Sequence, residues 1–201
     1  MDLQAEPVGT QAVERGFMPC RTVVLVGLMG AGKTKIGRRM ASRLNLPFFD
    51  SDHEIEEAAG ETIAEIFRNR GEAAFRDGER RVIARLLCQP LHILATGGGA
   101  FMDPATRAVI RRGGISIWLR ADLDVLLARV ARRSDRPLLS GRDQRAVMEE
   151  LIERRHPIYA EADLTVDSSE GAPEATMARV MSALSDCPRA LLPPEPESGE
   201  E

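Results

Sequence analysis

The sequence predicts an α/β domain built on a five-stranded parallel sheet with helices on both faces. Three observations carry that expectation. Short apolar runs near residues 23–26, 47–49, 92–95, 115–119 and 164–166 alternate with stretches of helical periodicity. A glycine-rich loop joins the first run to the first helix. The second and third runs end in Asp50-Ser51-Asp52 and Gly97-Gly98-Gly99, at the strand ends where parallel sheets gather ligands.

Taken in order, residues 1–19 are polar and aperiodic, with Pro7 and Gly9 breaking any pattern, and are expected to form a disordered extension. Val23 to Val26 form the first strand. Ile36, Met40 and Leu44 recur at helical spacing and predict an amphipathic helix from Lys33 to Leu44. Pro47-Phe48-Phe49 is the second strand. His53 to Gln89 reads as helical with breaks at Gly60 and Gly71, and Thr62-x-x-Glu65 is a capping-box pattern. Phe75, Val82, Ile83 and Leu86 lie on the apolar side of the longer helix, in which Gly78 is out of place. His92 to Ala95 is the third strand. Asp103-Pro104 caps a helix that stops at Gly113-Gly114, before a fourth strand from Ile115 to Leu119. Asp122 opens a helix that gives way to the basic, proline- and glycine-broken segment 132–145, which reads as a mobile lid. A helix from Gln144 to Arg155 follows, then Pro157-Ile158-Tyr159, a last strand from Leu164 to Val166 and a last helix from Pro173 to Leu184. A single domain is expected over 20–186, with 187–201 an acidic, proline-rich, disordered tail.

The chain has 201 residues, 43% apolar and 29% charged, which suits one globular domain, and no apolar run reaches membrane-spanning length. The net charge of -4 argues against nucleic acid or an anionic membrane as partner, so a bound anion must be met by local Arg and Lys. Cys20, Cys88 and Cys187 lack metal-ligand spacing and read as reduced thiols. Asp2, Glu6 and Glu14 leave no signal-peptide core, so a cytoplasmic protein is expected.

Gly27-Leu28-Met29-Gly30-Ala31-Gly32-Lys33-Thr34 fits the G-x-x-x-x-G-K-[ST] pattern of a phosphate-binding loop. Its glycines let backbone amides approach a polyphosphate, Lys33 places a cation on the β- and γ-phosphates, and the Thr34 hydroxyl suits Mg²⁺. The start of the helix adds the positive end of its dipole. Such a loop serves kinases, switch GTPases and motors alike. The absence of Asn-Lys-x-Asp and the short chain leave a small-molecule kinase, such as a gluconate or nucleotide kinase, or a non-catalytic nucleotide-binding module.

Six motifs narrow this further. G-L-M-G-A-G-K-T at 27–34, D-S-D at 50–52, F-R-D-G-E at 75–79, G-G-G-A at 97–100, R-P-L-L at 136–139 and R-R-H-P-I-Y at 154–159 stand in the order seen in shikimate kinases. Over residues 22–184 the chain resembles that family, which transfers the γ-phosphoryl of ATP to the 3-hydroxyl of shikimate. The resemblance implies a three-layer P-loop kinase fold with a mobile lid, Mg²⁺, ATP as co-substrate and a monomer. It implies an ATP site of Gly30, Ala31, Gly32, Lys33, Thr34, Lys35, Arg133 and Arg136. It implies a shikimate site of Asp52, Arg76, Gly98, Gly99 and Arg155, with Glu79 orienting Arg76 and the 53–89 helices bearing on the acceptor. Thr34 and Asp50 would serve the metal, and Lys33, Asp52 and Arg136 catalysis, with Asp52 either a base for the 3-hydroxyl or only the acceptor that aims it. Lys35 departs from the family's more usual Ser-Thr. His53, His92 and His156 read as structural or surface residues.

Overall fold

The computed structural model describes residues 17–131, 143–168 and 171–194. Arg133, Arg136 and nearly all of the expected lid lie outside the described residues, as do most of the N-terminal extension and the end of the tail. Five strands, β1 (Thr22–Val26), β2 (Phe48–Asp50), β3 (Ile93–Ala95), β4 (Gly114–Arg120) and β5 (Leu164–Asp167), form one parallel sheet in the order β2-β3-β1-β4-β5. β1 is buried along its whole length, as an apolar run between two sheet neighbours and two helical layers must be.

Among the described residues seven helices accompany the sheet: α1 (Lys33–Leu44), α2 (Ser51–Ala59), α3 (Ile63–Leu87), α4 (Pro104–Gly113), α5 (Leu123–Ala131), α6 (Gln144–Tyr159) and α7 (Pro173–Ser185). α1 turns Ile36, Met40 and Leu44 into the core, as their spacing predicts. α2 stops at Gly60, whose φ of 66° closes the C-cap. α3 opens on the Thr62–Glu65 capping box and breaks at Gly71. Gly78 lies mid-helix with open space where a Cβ would stand.

The chain leaves β1 for β2 on one side and later reaches β4 and β5 on the other, so the central strand is the switch point of the sheet. Because all strands are parallel, the phosphate loop, Asp50-Ser51-Asp52 and Gly97-Gly98-Gly99 emerge at the same edge, over the crevice such a switch creates.

Two boundaries differ from expectation. α6 does not end at Arg155 but continues through Pro157 to Tyr159. The proline removes one amide donor, to the exposed Glu153 carbonyl. The Ala160 amide to His156 carbonyl bond, 2.9 Å, and the complete burial of Tyr159 hold the final turn. Residues 187–194, expected to begin the disordered tail, are ordered. Pro188–Leu191 form a 3-10 turn, with Ala190 fully buried and its carbonyl accepting from the Cys20 amide at 2.7 Å. Arg21 secures this segment by donating to the carbonyls of Leu192 at 3.0 Å, Pro193 at 2.8 Å and Arg112 at 3.0 Å. Proline-rich composition concealed a turn that is fixed by contacts distant in sequence. Among the described residues no helix is long and apolar enough to cross a membrane, and the three cysteines are free thiols.

Candidate active site

The phosphate loop follows β1 and folds over the start of α1. Gly30 and Gly32 take φ of 82° and 95°, in the left-handed region that a side chain would strain. Gly32 offers no side-chain cap and the first turn of α1 contains no acidic residue, so its amides keep their positive end for an anion. Lys33 Nζ donates to the carbonyls of Gly27 at 2.7 Å and Leu28 at 3.0 Å, which ties its ammonium to the loop. Ala31 is buried, and its carbonyl accepts from Ser168 Oγ at 2.8 Å. Thr34 Oγ1 donates to Asp50 Oδ2 at 2.9 Å, joining the loop to the end of β2.

Asp50 caps α2, and Asp52 stands in that helix's first turn. Burial pushes the Asp52 carboxyl above its ordinary range; Asp50 adds to the rise, and Lys33 and Arg76 oppose it. A carboxylate whose proton affinity is raised beside two cations is suited to taking up a proton late in a reaction.

Two of the three glycines after β3, Gly97 and Gly99, are there for space, whereas a Cβ at Gly98 would meet nothing nearer than 3.6 Å. None has a φ in the left-handed region, yet a Cβ at Gly97 would lie 2.4 Å from Asp52 Oδ1, and one at Gly99 2.5 Å from Arg76 Nη2. The backbone is thus pressed against a carboxylate on one side and a guanidinium on the other. The Gly97 amide donates to Ser51 Oγ at 3.0 Å, and the Gly98 carbonyl accepts from Arg155 Nη1 at 3.1 Å.

Arg76, from α3, donates to Glu79 Oε2 at 2.5 Å. Glu79 is 1% exposed, and burial raises its pKa against the lowering pull of Arg76. The pair is therefore more than an exposed helix contact: the buried carboxylate fixes the direction of the guanidinium. Asp52, Arg76, Gly98, Gly99 and Arg155, from four separate elements, meet around the Gly97–Gly99 backbone, which itself lies against Gly27 and Met29 of the phosphate loop.

A cavity of about 420 Å³ adjoins the loop, lined by Gly30, Lys33, Thr34 and Lys35 on one side and by Arg129, Ser168, Pro173 and Thr176 on the other. Arg129 Nη1 donates to Ser168 Oγ at 3.0 Å and approaches the Gly30 carbonyl at 3.4 Å. Sequence reasoning missed this far wall, because Arg129 reads as one more polar position on an amphipathic helix. Lys35 lies on the rim, where its charge acts on Glu174, which Arg39 also holds at 2.8 Å. Ser51 and Tyr159 were missed too, although Tyr159 stands inside the R-R-H-P-I-Y run.

The shikimate kinase family model matches residues 29–185. A shikimate kinase from Paramagnetospirillum magneticum is 58% identical over 164 residues, covering 82% of this chain and 84% of the relative. One from Mesorhizobium japonicum is 48% identical over 182 residues, covering 90% of each. A solved shikimate kinase from Acinetobacter baumannii in complex with shikimate superposes with a TM-score of 0.75 at 37% identity, covering 80% of this chain and 90% of the other. The phosphate loop, the buried Arg76–Glu79 pair and the glycine run packed between Asp52 and Arg76 thus lie within a domain shared with these proteins, and the chain belongs to the shikimate kinase family.

Proposed function

We propose that the pocket and the adjoining cavity divide the family reaction between them, with ATP held along the phosphate loop and shikimate in the pocket, yielding shikimate 3-phosphate and ADP. The observation that carries this is the convergence of Arg76, Arg155 and Asp52 on the Gly97–Gly99 backbone beside Lys33. Shikimate is a carboxylate on a ring of hydroxyls: two guanidinium forks suit the acid, and a carboxylate suits the hydroxyls.

In this reading the loop amides and Lys33 receive the β- and γ-phosphates, and Arg129 with Ser168, Gly171, Pro173 and Thr176 forms the nucleotide end of the cavity. Arg76 and Arg155 hold the shikimate carboxylate, the amides of Gly98 and Gly99 meet the substrate, and Asp52 aims the 3-hydroxyl at the γ-phosphorus. Transfer through a loose transition state asks mainly for positioning and charge neutralisation, with the proton passing to Asp52 late if that residue is a base. Arg133 and Arg136, which lie outside the described residues, complete the proposed ATP site.

The donor set fits Mg²⁺. The Thr34 proton is turned toward Asp50, which leaves hydroxyl lone pairs for a hard cation. Thr34 would hold the ion and Asp50 would support it; when bound, the ion neutralises phosphate charge. We also propose a cytoplasmic monomer, with one kinase domain over 20–186, the family match over residues 29–185 supporting the single domain.

A coupled assay of ADP release tests the reading, with and without shikimate and with gluconate in its place. Shikimate-dependent turnover that EDTA stops is the expected result. Turnover on gluconate alone, or none with either acceptor, would overturn it. Lys33→Ala should abolish transfer while the melting transition is retained, since the lost cation serves phosphate and not the core.

A further inference from the structure

We infer that Tyr159 is a positioning residue for the acceptor pocket, its hydroxyl fixing the Gly98 carbonyl and through it the pose of Arg155. Arg155 and Tyr159 are four residues apart on α6, so they project from the same face one turn apart. Both donate to the same atom, the Gly98 carbonyl oxygen. A carbonyl has two lone pairs, and these two donors occupy both.

The ring has little freedom. Tyr159 is fully buried and stacks between Phe101, at 6.3 Å and 16°, and Trp118, at 5.9 Å and 22°. Phe101 belongs to the turn that follows the glycine run and Trp118 to β4, so the hydroxyl is aimed by two parts of the chain independently of α6. Burial pushes the phenol up to about 12, so it remains a donor at every pH at which the enzyme is assayed.

Arg155 faces two acceptors, the Gly98 carbonyl and an incoming carboxylate. With the tyrosine hydroxyl in place, the carbonyl is already satisfied and Arg155 can turn its fork to the substrate. Without it, Arg155 becomes the carbonyl's remaining donor in a partly buried setting and is drawn away from the substrate, because leaving a carbonyl withdrawn from water unpaired is costly. The Gly97–Gly99 backbone, held by Ser51 at one end, also loses the more rigid of the two anchors at its middle residue. The hydroxyl therefore governs acceptor binding and leaves the nucleotide site alone.

The test is Tyr159→Phe, which keeps the ring and removes the donor. The KM for shikimate should rise about five- to thirtyfold, the KM for ATP should stay within twofold, and kcat should fall less than the shikimate KM rises. Ile115→Val, a buried change in β4 outside the pocket, controls for lost stability and should move neither KM. Incorporating 4-aminophenylalanine at position 159 restores a donor and should return the shikimate KM toward wild type. Should the phenylalanine variant not accumulate as folded protein, 4-fluorophenylalanine fills the same space without donating. If neither folds, the hydroxyl is structural and the inference fails. It also fails if the shikimate KM is unchanged, if both KM values rise together, or if the 4-amino variant gives no rescue. The inference rests on placing Gly98 and Arg155 in the acceptor pocket. Arg155→Ala with an unchanged shikimate KM would overturn that placement, whereas an impaired Arg155→Ala beside an unaffected Tyr159→Phe would overturn only the role of the hydroxyl.

Discussion

Gly99→Ala tests the proposed acceptor pocket apart from the rest of the fold. The backbone at Gly99 has φ -101° and ψ -15°, a conformation open to alanine, so the substitution adds no backbone strain. Its Cβ would, however, stand 2.5, 2.8 and 2.9 Å from Nη2, Nη1 and Cζ of Arg76. Contacts under 3.0 Å are essentially never seen, so the guanidinium must retreat by about half an ångström or more. Retreat pulls against the 2.5 Å bond to the buried Glu79 and would remove the fork from the shikimate carboxylate it is proposed to hold. A hydrogen bond to a charged group contributes about 1.5–3 kcal/mol. Losing one should lower kcat/KM for shikimate roughly 10- to 150-fold. The KM for ATP should stay within twofold and the melting transition should persist. Steady-state ADP release at saturating ATP with varied shikimate, beside a thermal melt, reads all three. An unchanged kcat/KM, or an equal loss for both substrates, would refute the claim that this glycine is reserved for Arg76.

The other predictions address the fold, the base and the pH response. Gly78→Ala, in α3 where nothing lies within 4 Å of the new Cβ, should raise unfolding stability by about 0.8–1 kcal/mol with kinetics unchanged; a lowered denaturation midpoint would contradict the open space there. Asp52→Asn should lose most turnover while calorimetry still detects ATP, and should weaken shikimate binding less than Arg76→Ala does. Near wild-type turnover would leave Asp52 only an aiming role. Burial lowers the pKa of His92, whose Nδ1 lies 2.8 Å from the Pro90 carbonyl and whose Nε2 is buried without a hydrogen-bond partner. The unfolded chain therefore takes up a proton near pH 6.5 that the folded chain resists, so stability is full above roughly that pH and falls as pH drops toward the folded value. His156 is shifted in the same direction. Melts between pH 5 and 8 should show this slope, and His92→Gln should flatten it more than His156→Gln. A slope unaffected by His92→Gln would place the proton elsewhere.

What could be read from the sequence follows the range of the forces involved. α1, the capping box of α3 and the five strands were legible because periodicity and caps are local. The phosphate loop was legible because backbone chemistry fixes its residue types. Arg76 with Glu79 was legible as a pair one turn apart, but its burial was not, since that depends on what the fold lays over α3. Two spacing rules failed. Pro157 suggested an end to α6 that the burial of Tyr159 overrides, and proline-rich composition hid the 187–194 segment that Arg21 holds. Arg129 and Ser168 meet only in three dimensions, 39 residues apart, and nothing local to either announces it.

The stacked pair behind the glycine run also has an optical consequence. The chain contains one tryptophan and one tyrosine, and they are in contact with each other. Trp118 lies edge-on to His156 at 4.9 Å, and its Cδ1 would be 3.3 Å from a Cβ at Gly27, at the start of the phosphate loop. Tyr159 reaches the middle of the glycine run. Intrinsic indole and phenol emission from this protein therefore arises from a single spot between the phosphate loop and the glycine run, and tyrosine excitation drains into its neighbour. Either substrate can be titrated against native fluorescence, with no label and no background from a second indole.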